Sequence, residues 1–229
     1  MLTSLVLKEL LQKLKDTGLA DLPGKLLYSG IGTLSPGKLY VLGWNPGGDP
    51  IAENQSSADH LIALAGRPPD WNEYIDGVWR PGGRICAPGD APMQRRVRHL
   101  LTGLGLPVRF VCASNIVFVR SRASADLDDQ TDLAERCWPI HKAILENVCP
   151  VGILSIGGNP VFDFIVNRGR LLSGPESFPS GHGNWDCHAG QVQLGNRTLR
   201  IVSVPHLARY AIDHHPDVVQ WVGSKLSLL

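Results

Sequence analysis

The sequence has little charge and few rings: charged residues make up 19% of its 229 positions and aromatics 7%, and the formal net charge is +1. Binding to a polyanion through bulk charge is therefore excluded, whereas a local basic face is not. Its five cysteines, Cys86, Cys112, Cys137, Cys149 and Cys187, are odd in number and contain no Cys-x-x-Cys pair. That excludes a disulfide framework and gives no sign of a zinc site. Cys112 lies in an apolar run, as a reduced buried thiol does. No apolar run approaches the length of a membrane span, and Lys8, Glu9, Lys13, Lys15 and Asp16 break up the opening segment, so no secretory leader is expected. Gly-Lys-Ser, Gly-Lys-Thr and Gly-x-Gly-x-x-Gly are missing, which removes the common nucleotide-binding loops. These absences point to a cytoplasmic protein with no metal, no cofactor and no membrane contact. Its length and its 43% of hydrophobic residues suit one domain over residues 1–229, expected to be a monomer.

What is present is a repeated pattern of short apolar runs and helical stripes. Leu5, Val6, Leu10 and Leu14 fall at helical spacing and predict a first amphipathic helix over residues 3–16. Apolar runs at 39–42, 109–119, 151–156 and 200–204 predict four buried strands. Helices are expected at 91–104, with Asp90 as N-cap, at 133–147, with Asp132 as cap, and at 159–166 and 213–226. His214 and His215 read as a solvated start of the last of these. Such alternation predicts an α/β fold, a three-layer α/β/α arrangement around a central, mainly parallel four-stranded sheet. Ligands of such sheets bind beyond the carboxyl ends of the strands. Residues 51–92, interrupted by Pro68, Pro69, Pro81, Gly82, Gly83, Pro88 and Gly89, are expected to be irregular. Residues 173–196 are rich in glycine and polar residues; His182, Asp186, Cys187 and His188 there include metal-binding types but fit a glycine-rich hairpin.

Three of the expected strand ends carry polar residues that call for explanation. The first reads Gly43-Trp44-Asn45-Pro46-Gly47, a tight turn presenting one amide, although Asn-Pro-Gly is also ordinary turn chemistry. The second places Asn115 within an apolar run, where a buried amide needs partners. The last reads Pro205-His206-Leu207-Ala208-Arg209-Tyr210. A further glycine turn, Gly157-Gly158, follows the third strand. Between Arg67 and Arg122 the chain carries Arg67, Arg80, Arg84, Arg95, Arg96, Arg98, Arg109, Arg120 and Arg122 against only Asp70, Glu73, Asp76 and Asp90. This stretch is either a solvated surface or a phosphate-contacting face.

Taken in this order, the motifs resemble those of the uracil-DNA glycosylase superfamily, and most closely its mismatch-specific and single-strand-selective branches, whose first motif is Gly-x-Asn-Pro-Gly. The resemblance runs from about Tyr40 to the last helix. It implies a monofunctional glycosylase acting on uracil or another altered base in DNA. Asn45 would hold the attacking water, Gly43, Trp44, Pro46 and Gly47 would line the substrate site, and Asn115 would read the edge of the flipped base. His206 would stabilise the departing base. Arg120 and Arg209 are the expected DNA contacts. Leu207 and Ala208 stand where the family has Pro and Ser, which puts its minor-groove insertion in doubt; Arg209 and Tyr210 are possible substitutes. Trp71, Tyr74 and Trp79 are candidates for a ring stacked on the base. No cysteine precedes Cys86, so the iron-sulfur branches do not fit, and no motif position holds a lysine, so Schiff-base lyase chemistry is not expected. Two alternatives remain open: a DNA-binding or base-sensing module without turnover, and hydrolysis of a free nucleoside or nucleotide.

Overall fold

The computed structural model describes residues 2–228. It is an α/β fold around a six-stranded, mostly parallel sheet with seven helices among the described residues. The strands are β1 (Leu39–Gly43), β2 (Cys112–Asn115), β3 (Gly152–Ser155), β4 (Arg170–His182), β5 (Trp185–Leu194) and β6 (Arg197–Ser203), in the order β2-β1-β3-β6-β5-β4. The first four in that order run parallel, and β5 and β4 add an antiparallel hairpin.

The expected four-stranded sheet is therefore corrected to six. The four expected strands form its parallel part, and the two extra ones lie in the glycine-rich stretch where a hairpin was anticipated. β4 is exposed along nearly its whole length and so shows no apolar alternation, while β5 buries only Cys187 and Ala189 on one face and Val192 on the other, mostly small side chains. Neither strand carries the signal by which buried strands are recognised.

Alternation along the parallel strands feeds two cores. Tyr40, Leu42, Cys112, Ile153 and Ile201 point to one face, where they meet α1 (Leu2–Asp16), α5 (Gln130–Val148) and α6 (Asn159–Val166). Leu39, Val41, Ala113, Leu154 and Val202 point to the other, against α4 (Pro92–Gly103) and α7 (Pro216–Leu226). The period of two thus turns a continuous apolar run into two buried surfaces.

Several element boundaries differ from expectation. β2 is shorter than its apolar run, because residues 108–110 form a 3-10 turn and the chain leaves the sheet at Asn115. The stretch 51–92 holds α2 (Ser57–Ala65) and the single turn α3 (Glu73–Asp76). Ser56 caps α2 by accepting from the Asp59 N–H at 3.1 Å. α4 starts after Ala91, not Asp90, and the Gln94 side chain accepts the Ala91 N–H at 2.9 Å. For α5 the N-cap is Asp129, which accepts from the Asp132 N–H at 3.0 Å. α7 starts at Pro216, a residue suited to a first helical turn, after a 3-10 turn at 212–214. Among the described residues no helix is long and apolar enough to cross a membrane.

Two buried histidines tie acid stability to the core. His141 on α5 donates from Nε2 to the Ile116 carbonyl at 3.0 Å, so Nδ1 is the acceptor for the Tyr40 hydroxyl at 2.9 Å. Burial lowers its pKa to about 4. His60 falls to about 3, through burial first and then the charges of Lys25, Arg67 and Arg120. Both pKa values are depressed, so the unfolded chain takes up protons below about pH 6.5 that the folded chain refuses, and stability falls as pH drops. At pH 5 we expect a loss of roughly 2 kcal/mol per histidine relative to neutral pH. Urea midpoints at pH 7 and pH 5 check this, and the double variant His60→Gln, His141→Gln should lose most of the difference.

Candidate functional site

The first-motif loop and the segment after β2 leave the sheet together and stay paired. Ile116 donates to Gly43 O at 2.9 Å, Val117 to Trp44 O at 2.8 Å and Ser121 to Pro46 O at 3.1 Å. This pairing fixes the loop that presents Asn45. The Asn45 Nδ2 donates to Pro46 O at 3.1 Å and to Ser121 Oγ at 2.8 Å. A carbonyl can only accept, so the first contact identifies the nitrogen. The Ser121 hydroxyl donates in turn to Ala123 O at 2.6 Å, which leaves its oxygen to receive the amide proton. With its donors engaged, Asn45 offers its carbonyl oxygen as an acceptor.

Asn115 is placed directly against this loop. A Cβ on Gly43 would lie 2.1 Å from Asn115 Oδ1, so only glycine at 43 lets the amide occupy its position. Asn115 is 7% exposed, yet its Nδ2 has no hydrogen-bond partner among the described residues. A buried donor without a partner is costly and rare in native proteins. The Tyr28 hydroxyl lies within reach of the Asn115 side chain, but no hydrogen bond of normal geometry joins it to that nitrogen. Burial pushes the Tyr28 phenol above its ordinary range, with Arg120 opposing the shift.

Tyr28 anchors the wall beside Asn115. It stacks on Tyr74 with centroids 5.8 Å apart and meets Trp79 edge-on at 5.9 Å. Beneath them the buried Glu73 accepts from Trp79 Nε1 at 2.9 Å and pairs with Lys25 Nζ at 2.5 Å. Of the three aromatic candidates, Tyr74 and Trp79 thus join this wall through their neighbour, while Trp71 is covered by the Arg67 guanidinium 4.0 Å from its ring centroid.

The remaining motif residues have separate duties. The Trp44 indole turns away, donating to Gln130 Oε1 at 2.9 Å and packing edge-on to Phe164 at 6.2 Å. Gly157, after β3, lies in ordinary contact with the Trp44 backbone, and a Cβ there would come within 2.7 Å of Val161 Cγ2 on α6. Gly47 and Pro46 act through their carbonyls. Arg120, expected at the DNA, is buried: its guanidinium binds Gly47 O and pairs with Glu53 at 2.9 Å, under the loop. Arg109 is held by both oxygens of Asp76, at 2.8 and 2.9 Å. The middle of the chain is therefore only in part a free basic face: Arg67, Arg80, Arg84, Arg95, Arg122 and, elsewhere, Arg209 are exposed, but Arg95 pairs with Asp90 at 3.0 Å and Arg122 with Asp49 at 2.7 Å.

His206 follows β6, at the same end of the sheet. β3 alone separates β6 from β1, so two strand spacings, about 10 Å, lie between the two motifs. No hydrogen bond joins His206 to Asn45 or Asn115 among the described residues. The side chain is exposed at the surface, but crowding around the ring lowers its pKa, with the Arg209 charge adding to the effect, so the imidazole is neutral at pH 7. Arg96 on α4 fixes this loop by donating to Leu207 O at 2.8 Å and Ala208 O at 3.1 Å. Leu207 and Tyr210 are fully buried, and the Tyr210 hydroxyl donates to Ser180 O at 2.7 Å, so neither side chain projects outward.

Sequence reasoning missed Tyr28, Ser121 and Gln130. Each acts through a partner tens of residues away, and no local spacing reveals that. Two concave surfaces, of about 220 and 330 Å³, lie elsewhere, beside β4 and α7; the first is lined by Glu176, Arg200 and Lys225, and the second by Phe178, Asp217 and Trp221. Neither contains a motif residue, and both are shallow. No protein-family model matches the chain, and no curated protein matches it.

Proposed function

We propose that the protein is a DNA glycosylase of the uracil-DNA glycosylase type, hydrolysing the bond between an altered base and its sugar. The observation that carries this reading is the unpartnered, buried amide nitrogen of Asn115 set against the Asn45 loop. Its desolvation is already met in the free protein, so a base that brings a carbonyl acceptor gains the full value of the hydrogen bond. Asn45, oriented by Ser121 and Pro46, holds a water through its carbonyl oxygen. An amide takes up no proton at neutral pH, so its contribution is placement, and expulsion of the base runs ahead of attack by water. Neutral His206 donates a hydrogen bond to the oxygen on which negative charge gathers. DNA is the partner, and the exposed Arg209 beside His206 is suited to a phosphate.

The burial of Leu207 and Tyr210 favours one second reading, hydrolysis of a free nucleoside or nucleotide, which needs no side chain to open a duplex. Base release from oligonucleotides carrying uracil, hypoxanthine, xanthine or a mismatched thymine, run beside the matching mononucleotides, separates the two. We expect release from an oligonucleotide, and a fall of at least about tenfold in Asn45→Ala and in His206→Ala. Release confined to mononucleotides would establish the second reading instead.

A further inference from the structure

The loop after β6 offers no outward apolar side chain, but the hairpin beside it does. β5 pairs with β6 from Leu194 opposite Arg197 to His188 opposite Ser203. Trp185, Asp186 and Cys187 therefore run on past the last paired residue of β6, about 10 Å beyond it at the rise of a strand, alongside the loop that carries His206. The two-residue turn Gly183-Asn184 closes the hairpin there, and Trp185 is 43% exposed at its tip.

This tip is rigidly mounted. The Ser180 hydroxyl donates to Trp185 O and accepts the His182 N–H at 3.1 Å. Tyr210, from the loop after β6, donates to Ser180 O at 2.7 Å and lies 5.7 Å from the His182 ring, which lies 5.0 Å from Trp185. Gly181, at φ +73°, lets the hairpin settle on His215, where a Cβ would come within 2.8 Å of the ring. The tip and the His206 loop are thus joined through Tyr210, Ser180 and His182.

Resting on the glycosylase reading, we infer that Trp185 at the β4–β5 tip is a stacking contact for the DNA strand that carries the altered base. An exposed indole held in one place loses little freedom on binding. Beside it are His182, whose ring lies 5.0 Å away, Asn184 of the turn and the exposed Asp186, and Tyr210 ties the hairpin to the loop that carries His206 and Arg209, so the ring has a polar rim. A lone ring in such a rim suits the π-face of a base beside phosphates better than an apolar protein surface, which would need a contiguous patch. The hairpin thereby supplies the outward ring that Leu207 and Tyr210 withhold.

The test is fluorescence anisotropy with a labelled uracil-containing oligonucleotide, comparing wild type, Trp185→Ala and Trp185→Phe. Loss of a stacked base should weaken binding by about tenfold in Trp185→Ala, while Trp185→Phe keeps most of the affinity. Melting temperatures of all three should agree, because the side chain sits at an exposed tip. Equal affinity of wild type and Trp185→Ala, with wild type still releasing base, overturns the role of Trp185 and leaves the glycosylase reading standing. A wild type without affinity for any oligonucleotide overturns both.

Discussion

Asn115→Ala is expected to lose base release by about 100-fold or more, the scale seen when one preorganised donor is removed from a reaction centre, while its melting temperature stays level or rises. The two halves of this result have one cause. In the folded protein the Asn115 nitrogen has given up water and gained no partner among the described residues, a cost of roughly 1–3 kcal/mol. Alanine removes that cost and leaves a small cavity, and the two terms nearly cancel. Asn72 supplies the control. It is as deeply buried, but its amide donates to Val108 O at 3.0 Å and accepts from the Tyr74 N–H at 2.9 Å as the cap of α3. Asn72→Ala should lose about 2 kcal/mol of stability and keep its rate per folded molecule. A denaturation series with both variants decides the matter; equal destabilisation by the two would mean that Asn115 serves the fold.

Gly43→Ala is expected to be nearly as inactive as Asn115→Ala and, unlike it, unstable. The new Cβ would lie 2.1 Å from Asn115 Oδ1 and 3.3 Å from its Cγ, far inside contact distance. The amide must swing away or the end of β1 must shift, and overpacking of this kind costs about 1–3 kcal/mol. A loss of base release of about 100-fold follows from displacing the donor by an ångström or more. The double variant Gly43→Ala, Asn115→Ala removes the clash, so it should be more stable than Gly43→Ala alone. That non-additivity is the signature of direct contact. Full activity in Gly43→Ala would show that Asn115 has room elsewhere and that its position against β1 is incidental.

Much of this arrangement was legible in the residues, and the limits have physical reasons. The apolar runs beginning at Leu39, Val151 and Arg200 were readable because parallel strands are buried on both faces, and the glycines after the first two and Pro205 after the third marked where the chain turns. Asn45 and Asn115 stood out as amides at apolar strand ends. β4 was legible only as part of a glycine-rich hairpin and not as a strand of the sheet, because water covers nearly all of it. Tyr28 and Ser121 were invisible because their roles depend on residues far along the chain, as in the Asn45–Ser121 bond across 76 positions. Arg120 misled for a related reason. Its position near a strand end suited a phosphate contact, but Gly47 and Glu53 draw it beneath the loop. Leu207 was legible as a departure from the expected motif, whereas its burial, and the hairpin beside it, required the fold.

The most direct measurement is single-turnover incubation of the wild-type protein with a uracil-containing oligonucleotide, followed by mass spectrometry of the small-molecule fraction and of the strand. Free uracil together with an unbroken abasic strand is the result expected from a monofunctional glycosylase that positions water with Asn45 and reads the base with Asn115. Recovery of the intact oligonucleotide, bound by the protein but with no base released from uracil or from any other altered base, would contradict it and leave a module that binds DNA without turning it over.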